Sequence, residues 1–422
     1  MLTRRNFLKG LLAAGAGACC NAAFGPLGSR YAMAQSSGGA GNSLIMFNQF
    51  GGCDPLNSFA IPYTVGDYYT RRPSIAIPQN VLLPVADGSV GFHPALPNLK
   101  RIFDEGDVCV VRGIGDPKGT RSHFTSQDIF SRGMTEDRNN DGRGWLGRLG
   151  DLYFAEQRFN TLGIGVGGQL DFAHNRENNV PLVLHSLENF RYENSYVRGL
   201  SWNGENELRR ETLNSFTGLP GSGSTEIKDK VDSAHVVTQD AVGLIQSAFE
   251  GFTPTGVYGD DNAARFFKEV ATTLNHGFQT KVYYGGLGGW DNHADQGGVE
   301  GTQAGLLAAL DGAIGAFEVD AKLLGWWDRV AICIFTEFGR KTFENGSAGT
   351  DHGWGSAMIV LGGAVKGGLR GPATTAAHFQ EEWLPQQIDF RNPFSEMITW
   401  LGFDPNPVFP ESYTRDNLGL FA

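Results

Sequence analysis

Cysteine is scarce. There are five in 422 residues, and two of these, Cys19 and Cys20, fall within the N-terminal 34. The other three, Cys53, Cys109 and Cys333, are too few and of the wrong parity for a disulfide framework. Cys109 and Cys333 stand within apolar runs and read as small buried hydrophobes, whereas Cys53 lies in a glycine-rich loop beside Asp54. A membrane-spanning run is also missing, because Gly10 to Ala23 falls short of the ~20 residues a spanning helix needs. That argues against a stable membrane anchor. No Lys/Arg-rich run exists, and the formal net charge is −11. Residues 1–34 hold four basic side chains and no acid, so the remainder is more acidic still, at −15. Such a balance argues against nucleic acid or an anionic membrane as the main partner. Protein partners are not legible. With 41% hydrophobic residues the chain is not wholly disordered, and it contains neither an internal repeat nor a low-complexity tail.

What is present begins with an address. Arg4-Arg5-Asn6-Phe7-Leu8-Lys9 precedes the small apolar run Gly10 to Ala18, and Ala32-Met33-Ala34 supplies a small-x-small cleavage pattern. Paired arginines before a modest apolar region read as a signal for the twin-arginine translocase, with cleavage near Ala34 and a periplasmic or secreted destination. A lipoprotein alternative at Cys19 or Cys20 lacks the Leu expected three residues before Cys19. The twin-arginine route carries folded proteins, which suits a metal site loaded in the cytoplasm.

Residues 35–422 read as one elaborated α/β domain. Short apolar runs predict buried strands at Ser43–Phe50, Val108–Gly113, Thr161–Val166, Lys281–Gly285, Val330–Thr336 and Met358–Gly362. Helical periodicity is clearest at Glu226–Phe249, Asn262–Asn275, Gln303–Leu324 and Phe394–Leu401. Strands that are apolar on both faces and alternate with helices predict a mostly parallel sheet covered on two sides. The polar loops 136–144 and 218–225 do not resemble interdomain linkers.

Ligands of such sheets bind beyond the carboxyl ends of the strands. The residues there are Gly51-Gly52-Cys53-Asp54, Arg121-Ser122-His123-Phe124, Gly289-Trp290-Asp291-Asn292-His293, Glu337-Phe338-Gly339-Arg340 and Gly349-Thr350-Asp351-His352-Gly353. Carboxylates with imidazoles suit Zn²⁺ or Mn²⁺. Asp291, His293 and His352 form a three-ligand set with an open position, and Asp54 and Glu337 are candidates for a second ion. Ser122, at a helix start, is the candidate nucleophile. Arg121, His123, Arg340 and Asp351 are candidates for holding an anionic substrate. Each has a plainer alternative: Asp54 as a turn residue, Glu337 paired with Arg340, Ser122 as a helix cap. His174, His185, His235, His276 and His378 read as structural. Asp137-x-Asn139-x-Asp141-Gly142 matches the first half of a calcium loop, but Arg148 stands where the bidentate Glu belongs, leaving a turn or a weak Ca²⁺ site.

Taken in order, these blocks, with Phe92-His93-Pro94-Ala95-Leu96 and Gly144-Trp145-Leu146-Gly147-Arg148, resemble the exported bacterial family of domain of unknown function 1501 over nearly the whole mature chain. That family is similar to the alkaline phosphatase and sulfatase superfamily. The resemblance implies a three-layer α/β/α sandwich with a mostly parallel central sheet, alkaline-phosphatase-like. It places the superfamily's metal ligands on Asp54, Asp291, His293 and His352, and its nucleophile on Ser122. Phe338 falls where a ligand is expected, which weakens a second metal. An alternative register puts the strand-end Asp-His pair on Asp351-His352. No Cys-x-Pro-x-Arg motif is present, which argues against a formylglycine sulfatase. The expected function is a metal-dependent hydrolase of a small phosphate-type or sulfate-type ester, using one or two ions. The alternative is a non-catalytic metal- or partner-binding protein on a degenerate scaffold.

Overall fold

The computed structural model describes residues 41–135, 142–154, 161–164, 173, 182–188, 242 and 245–421. Its strands are β1 (Ser43–Gln49), β2 (Leu83–Pro84), β3 (Gly91–Phe92), β4 (Val108–Gly115), β5 (Thr161–Ile164), β6 (Leu182–Leu184), β7 (Val282–Leu287), β8 (Val330–Phe335), β9 (Ser356–Leu361), β10 (Gly368–Arg370) and β11 (Ile388–Asp389). Nine of them form one sheet in the order β10-β4-β9-β8-β1-β7-β5-β6, with β11 also on β4. Within this sheet every pairing is parallel except those of β9, which runs antiparallel between β4 and β8, while β2 and β3 form a separate antiparallel pair.

All seven residues of β1 are buried. Because successive strand side chains point to opposite faces, Ile45 and Phe47 join one apolar cluster while Leu44 and Met46 join another. The first cluster takes its helical side from Pro97–Glu105, Asn262–Asn275 and Thr302–Leu323. The second takes it from His123–Arg132, Trp145–Tyr153 and Arg391–Trp400. This is the expected three-layer α/β/α arrangement, with helices on both faces of a mostly parallel sheet.

Local sequence explains the better-read elements. Asp261 caps Asn262–Asn275, its Oδ1 accepting the Ala263 and Ala264 amides at 2.9 Å. The predicted Gln303–Leu324 and Phe394–Leu401 helices occupy Thr302–Leu323 and Arg391–Trp400. The short strands β6, β10 and β11 were not anticipated, since two- and three-residue pairings leave no periodicity to read. Of the helix expected at Glu226–Phe249, residues 245–250 are helical and most of the remainder lies outside the described residues. The signal segment, His174, His235, the 218–225 loop, and Asp137, Asn139 and Asp141 of the calcium-like loop also lie outside them. Cys53, Cys109 and Cys333 are buried free thiols.

One topological detail positions the site. The C-terminal ends of β4, β8, β1 and β7 point to one sheet edge, and β9 is antiparallel, so the segment entering it (Gly349–Gly355) reaches that same edge. Five neighbouring strands thus deliver five loops to one place.

Phe47 is fully buried against Phe266 and Phe267, with ring centroids 5.4 and 5.5 Å away. Phe47→Ala should cost about 3–5 kcal/mol, read as a lowered denaturation midpoint at unchanged m-value.

Candidate metal centre

The first loop turns at Gly51, whose φ of 121° suits glycine and where a Cβ would lie 2.6 Å from the Asp291 amide nitrogen. The β9 lead-in packs equally closely, because a Cβ on Gly349 would lie 2.3 Å from the His293 carbonyl carbon. Glycine therefore lets the loops touch, and the side chains they carry converge.

Asp291 stands at the middle. Its Oδ1 lies 3.0 Å from His293 Nε2 and 3.2 Å from His352 Nε2, and those two nitrogens are 2.9 Å apart. Its Oδ2 lies 3.3 Å from His123 Nε2. The donor atoms of His123, Asp291 and His352 all fall within 4.8 Å of one another. Asp291 and His293 are 44% and 45% exposed, whereas His352 and His123 are 23% and 24% exposed, so the group opens to solvent on one side.

The opposite ring nitrogens assign the tautomers. His352 Nδ1 lies 2.8 Å from the Arg121 carbonyl oxygen, His293 Nδ1 is 3.2 Å from Asp351 Oδ1, and His123 Nδ1 is 2.9 Å from Glu337 Oε1. A carbonyl only accepts. Asp351 is held below its ordinary range chiefly by Asn345, and then by His293, so it too only accepts. For Glu337, burial pushes the carboxyl up, but hydrogen bonds from His123, Gln127 and the Gly51 amide outweigh it and keep it ionised. All three imidazoles therefore carry hydrogen at Nδ1, and in the neutral form each directs an Nε2 lone pair at Asp291. His123 Nε2 is buried and has no hydrogen-bond partner. For Asp291, burial also raises the carboxyl, but Arg340 and then His293 and His123 outweigh it and keep it charged.

Bare acceptors at these separations repel unless a cation lies among them. Zinc bound at 2.0–2.1 Å in a tetrahedron has ligand–ligand edges of about 3.3–3.4 Å, close to the 2.9, 3.0 and 3.2 Å sides of the His293–His352–Asp291 triangle. The donor set of imidazole nitrogens and one carboxylate therefore fits zinc or manganese. The surrounding carboxylate and carbonyl partners fix the ring orientations as in many metal sites.

Two expected roles are corrected. Asp54 does not join this group. It is 1% exposed, its Oδ2 pairs with Arg72 Nη1 at 2.5 Å and accepts Gln296 Nε2 at 2.8 Å, and its Oδ1 accepts the Leu56 amide at 3.1 Å. Its carboxylate is engaged in a buried ion pair and a turn. Arg340 is likewise no substrate clamp, because it is 1% exposed and its donors are used by backbone carbonyls and Asp291.

The other expected residues are placed as follows. Glu337 backs His123 and also accepts Gln127 Nε2 at 3.0 Å and the Gly51 amide at 2.9 Å. His123, expected at the substrate, stands among the donors themselves. Ser122 caps the helix His123–Arg132, its exposed hydroxyl accepting the Thr125 amide at 3.5 Å. Arg121 lays its guanidinium over the Trp383 ring at 4.1 Å. Phe338 is buried and packs its ring 4.8 Å from both His123 and His352, flooring the site where a ligand was expected. Sequence reasoning missed Gln127, Asn345 and Trp383. Gln127 had a signal, since it lies four residues after His123 on one helix, whereas Trp383 had none.

Residues 275–416 match the family model described as "Protein of unknown function (DUF1501)", and residues 1–19 match that of the TAT (twin-arginine translocation) pathway signal sequence. The first match holds the Asp291, Glu337 and His352 blocks, and the blocks before residue 275 lie outside it. The chain thus carries an export signal, which puts it in the periplasm or outside the cell, and no described helix is long and apolar enough to cross a membrane. No curated protein matches the chain. Among solved structures, it is similar to a protein in the alkaline phosphatase superfamily from Vibrio parahaemolyticus (11% identity, 90% of this chain and 72% of that one, TM-score 0.36). It is also similar to the C-terminal periplasmic domain of EcEptC from Escherichia coli in complex with Zn (8%, 90% and 90%, 0.37). A third is the phosphonate monoester hydrolase SpPMH from Silicibacter pomeroyi (10%, 89% and 78%, 0.32).

In metal-free protein, Glu337 raises the pKa of His123 above its ordinary 6.5 while burial lowers that of His352. The stabilisation from His123 is then fully present below about pH 6.5 and is lost as pH rises through its raised value; His352 costs stability when acid charges it. Imidazole proton NMR should show His123 titrating at a higher pH than His352, and the reverse order would contradict the assignment. Separately, Asp54→Ala should cost about 3–5 kcal/mol by stranding Arg72 yet leave zinc stoichiometry unchanged by elemental mass spectrometry.

Proposed function

We propose that this exported chain is a metal-dependent hydrolase of small phosphate-type or sulfate-type esters, folded as one domain over residues 35–422 after cleavage near Ala34. The observation that carries it is the convergence of the Nε2 atoms of His123, His293 and His352 on Asp291 at a solvent-open strand edge. Asp291, His293, His352 and His123 would hold one ion, zinc or manganese, or share two. When bound, the metal would supply Lewis-acid polarisation of the ester and a nucleophile usable at neutral pH.

The chain's own residues do the rest. Glu337 takes the Nδ1 hydrogen of His123, which turns Nε2 toward Asp291 and the other donors. Arg121, exposed beside His352 and steadied on Trp383, is a cation available to meet an anionic ester, whereas Arg340 and Arg72 are buried. Ser122 presents its hydroxyl at the N-terminus of the helix His123–Arg132, where negative charge is favoured. Asp351 orients His293.

A second reading has support in two observations. Phe338 stands where a further ligand was expected, and the Ser122 hydroxyl is bonded only as a helix cap among the described residues. Both suit a non-catalytic exported metal-binding protein.

The protein purified from the periplasm should contain one or two equivalents of zinc or manganese, and His352→Ala should lose them. Wild-type protein that stays metal-free after reconstitution would overturn the metal centre. Given metal, a phosphoester and sulfate-ester panel separates the two readings. Ser122→Ala that keeps its metal but loses at least 100-fold in kcat assigns the nucleophile. Metal-loaded wild type with no turnover favours the binder.

A further inference from the structure

We propose that Arg340 is the positioning residue of the metal centre: its buried guanidinium locks together the loops that carry the donors, so that they converge before an ion arrives. The inference rests on the metal-centre reading and goes beyond it, because it concerns a residue that does not itself ligate.

A guanidinium has five N–H donors in a rigid planar fork, and Arg340 uses that fork across three loops. Nε donates to the Gly52 carbonyl at 2.6 Å, and Nη2 donates to that of Gly51. Nη1 donates to the Thr350 carbonyl at 2.9 Å, two residues before His352. Nη2 also reaches the Trp290 carbonyl at 3.1 Å and Asp291 Oδ1 at 2.7 Å. Gly51 and Gly52 follow β1, Trp290 and Asp291 follow β7, and Thr350 leads into β9. Arg340 itself follows β8 and forms a backbone bridge with His352. One side chain, 1% exposed, therefore touches the loops of Asp291 and His352 and faces the carboxylate that all three histidines share.

This placement has a chemical consequence. One lone-pair direction of Asp291 Oδ1 is committed to Arg340, so the carboxylate cannot rotate freely, and its remaining lone pairs stay aimed at the three Nε2 atoms. Lysine carries the same charge but a single nitrogen, so it cannot span the same five acceptors. Fixing donors in advance removes ordering cost from ion binding.

The test measures zinc affinity by competition with a chromophoric chelator, using the mature chain as wild type, Arg340→Lys and Arg391→Lys. Arg391 is the control. It is also a buried arginine, but its ion-pair partners, Asp389 at 2.6 Å and Glu411 at 3.1 Å, are not on the loops that carry the donors. Both variants should lower the thermal midpoint. Arg340→Lys alone should weaken zinc binding about 10- to 100-fold, the range for residues that orient metal ligands. The visible absorption of the Co²⁺-loaded protein should change in that variant and not in Arg391→Lys. Wild-type affinity in Arg340→Lys, or an equal loss in Arg391→Lys, would overturn the inference. If neither Arg340→Lys nor Arg340→Gln folds, Arg340 serves the fold instead, which overturns it as well. A wild type that binds no zinc removes the metal centre itself, an outcome the variants cannot mimic.

Discussion

Two imidazole nitrogens and one carboxylate oxygen lie 2.9–3.2 Å apart, with the Nε2 of His123 3.3 Å from the carboxylate's other oxygen; with neighbouring acceptors already claiming the Nδ1 hydrogens, the neutral rings form a repulsive arrangement that a cation relieves. The local structure around that edge serves to hold it. Glu337, Asp351 and the Arg121 carbonyl set the rings from behind. Phe338 supports two of the rings from below. Arg340 restrains the shared carboxylate.

Beneath these lies a second layer of buried polar contacts. Arg72 pairs with Asp54, Asp54 accepts from Gln296, and Gln296 accepts the Thr350 hydroxyl at 2.6 Å. Gln303 donates to the Asp54 carbonyl at 3.2 Å and to Ser58 Oγ at 2.9 Å. Groups buried this deeply are costly unless each finds a partner, and here the partners come from segments far apart in the chain. The metal-proximal loops are thus tied to the apolar layers by bonds that resist being pulled apart one at a time. Buried charged residues tied to several partners, Asp54 and Arg340 among them, act as fasteners.

The sheet topology makes this concentration feasible. A uniformly parallel sheet would take the chain entering the strand beside β8 to the opposite edge. Reversal of β9 instead brings Gly349–Gly355 against the loops after β8, β1 and β7. Glycines at the contact points allow backbone to meet backbone, as at Gly51 and Gly349. The glycine-rich composition is explained by these approaches as much as by turns.

Much was legible in the chain before folding. The export signal is local chemistry, a charged pair and a small apolar run. The main strands and helices are visible because burial on two faces or one imposes a period on the residues themselves. The strand-end rule then pointed to the loops that hold Asp291, His293, Glu337 and His352. What only the tertiary structure decided was the role of each charged group within those loops. Asp54 and Asp291 look alike in sequence, each an Asp beside glycines after a strand. Arg72 and Gln296 consume the lone pairs of one, while Arg340 leaves those of the other facing three histidines. A ligand is defined by the lone pairs left over after every other partner is satisfied, and those partners arrive from distant segments only when the sheet assembles.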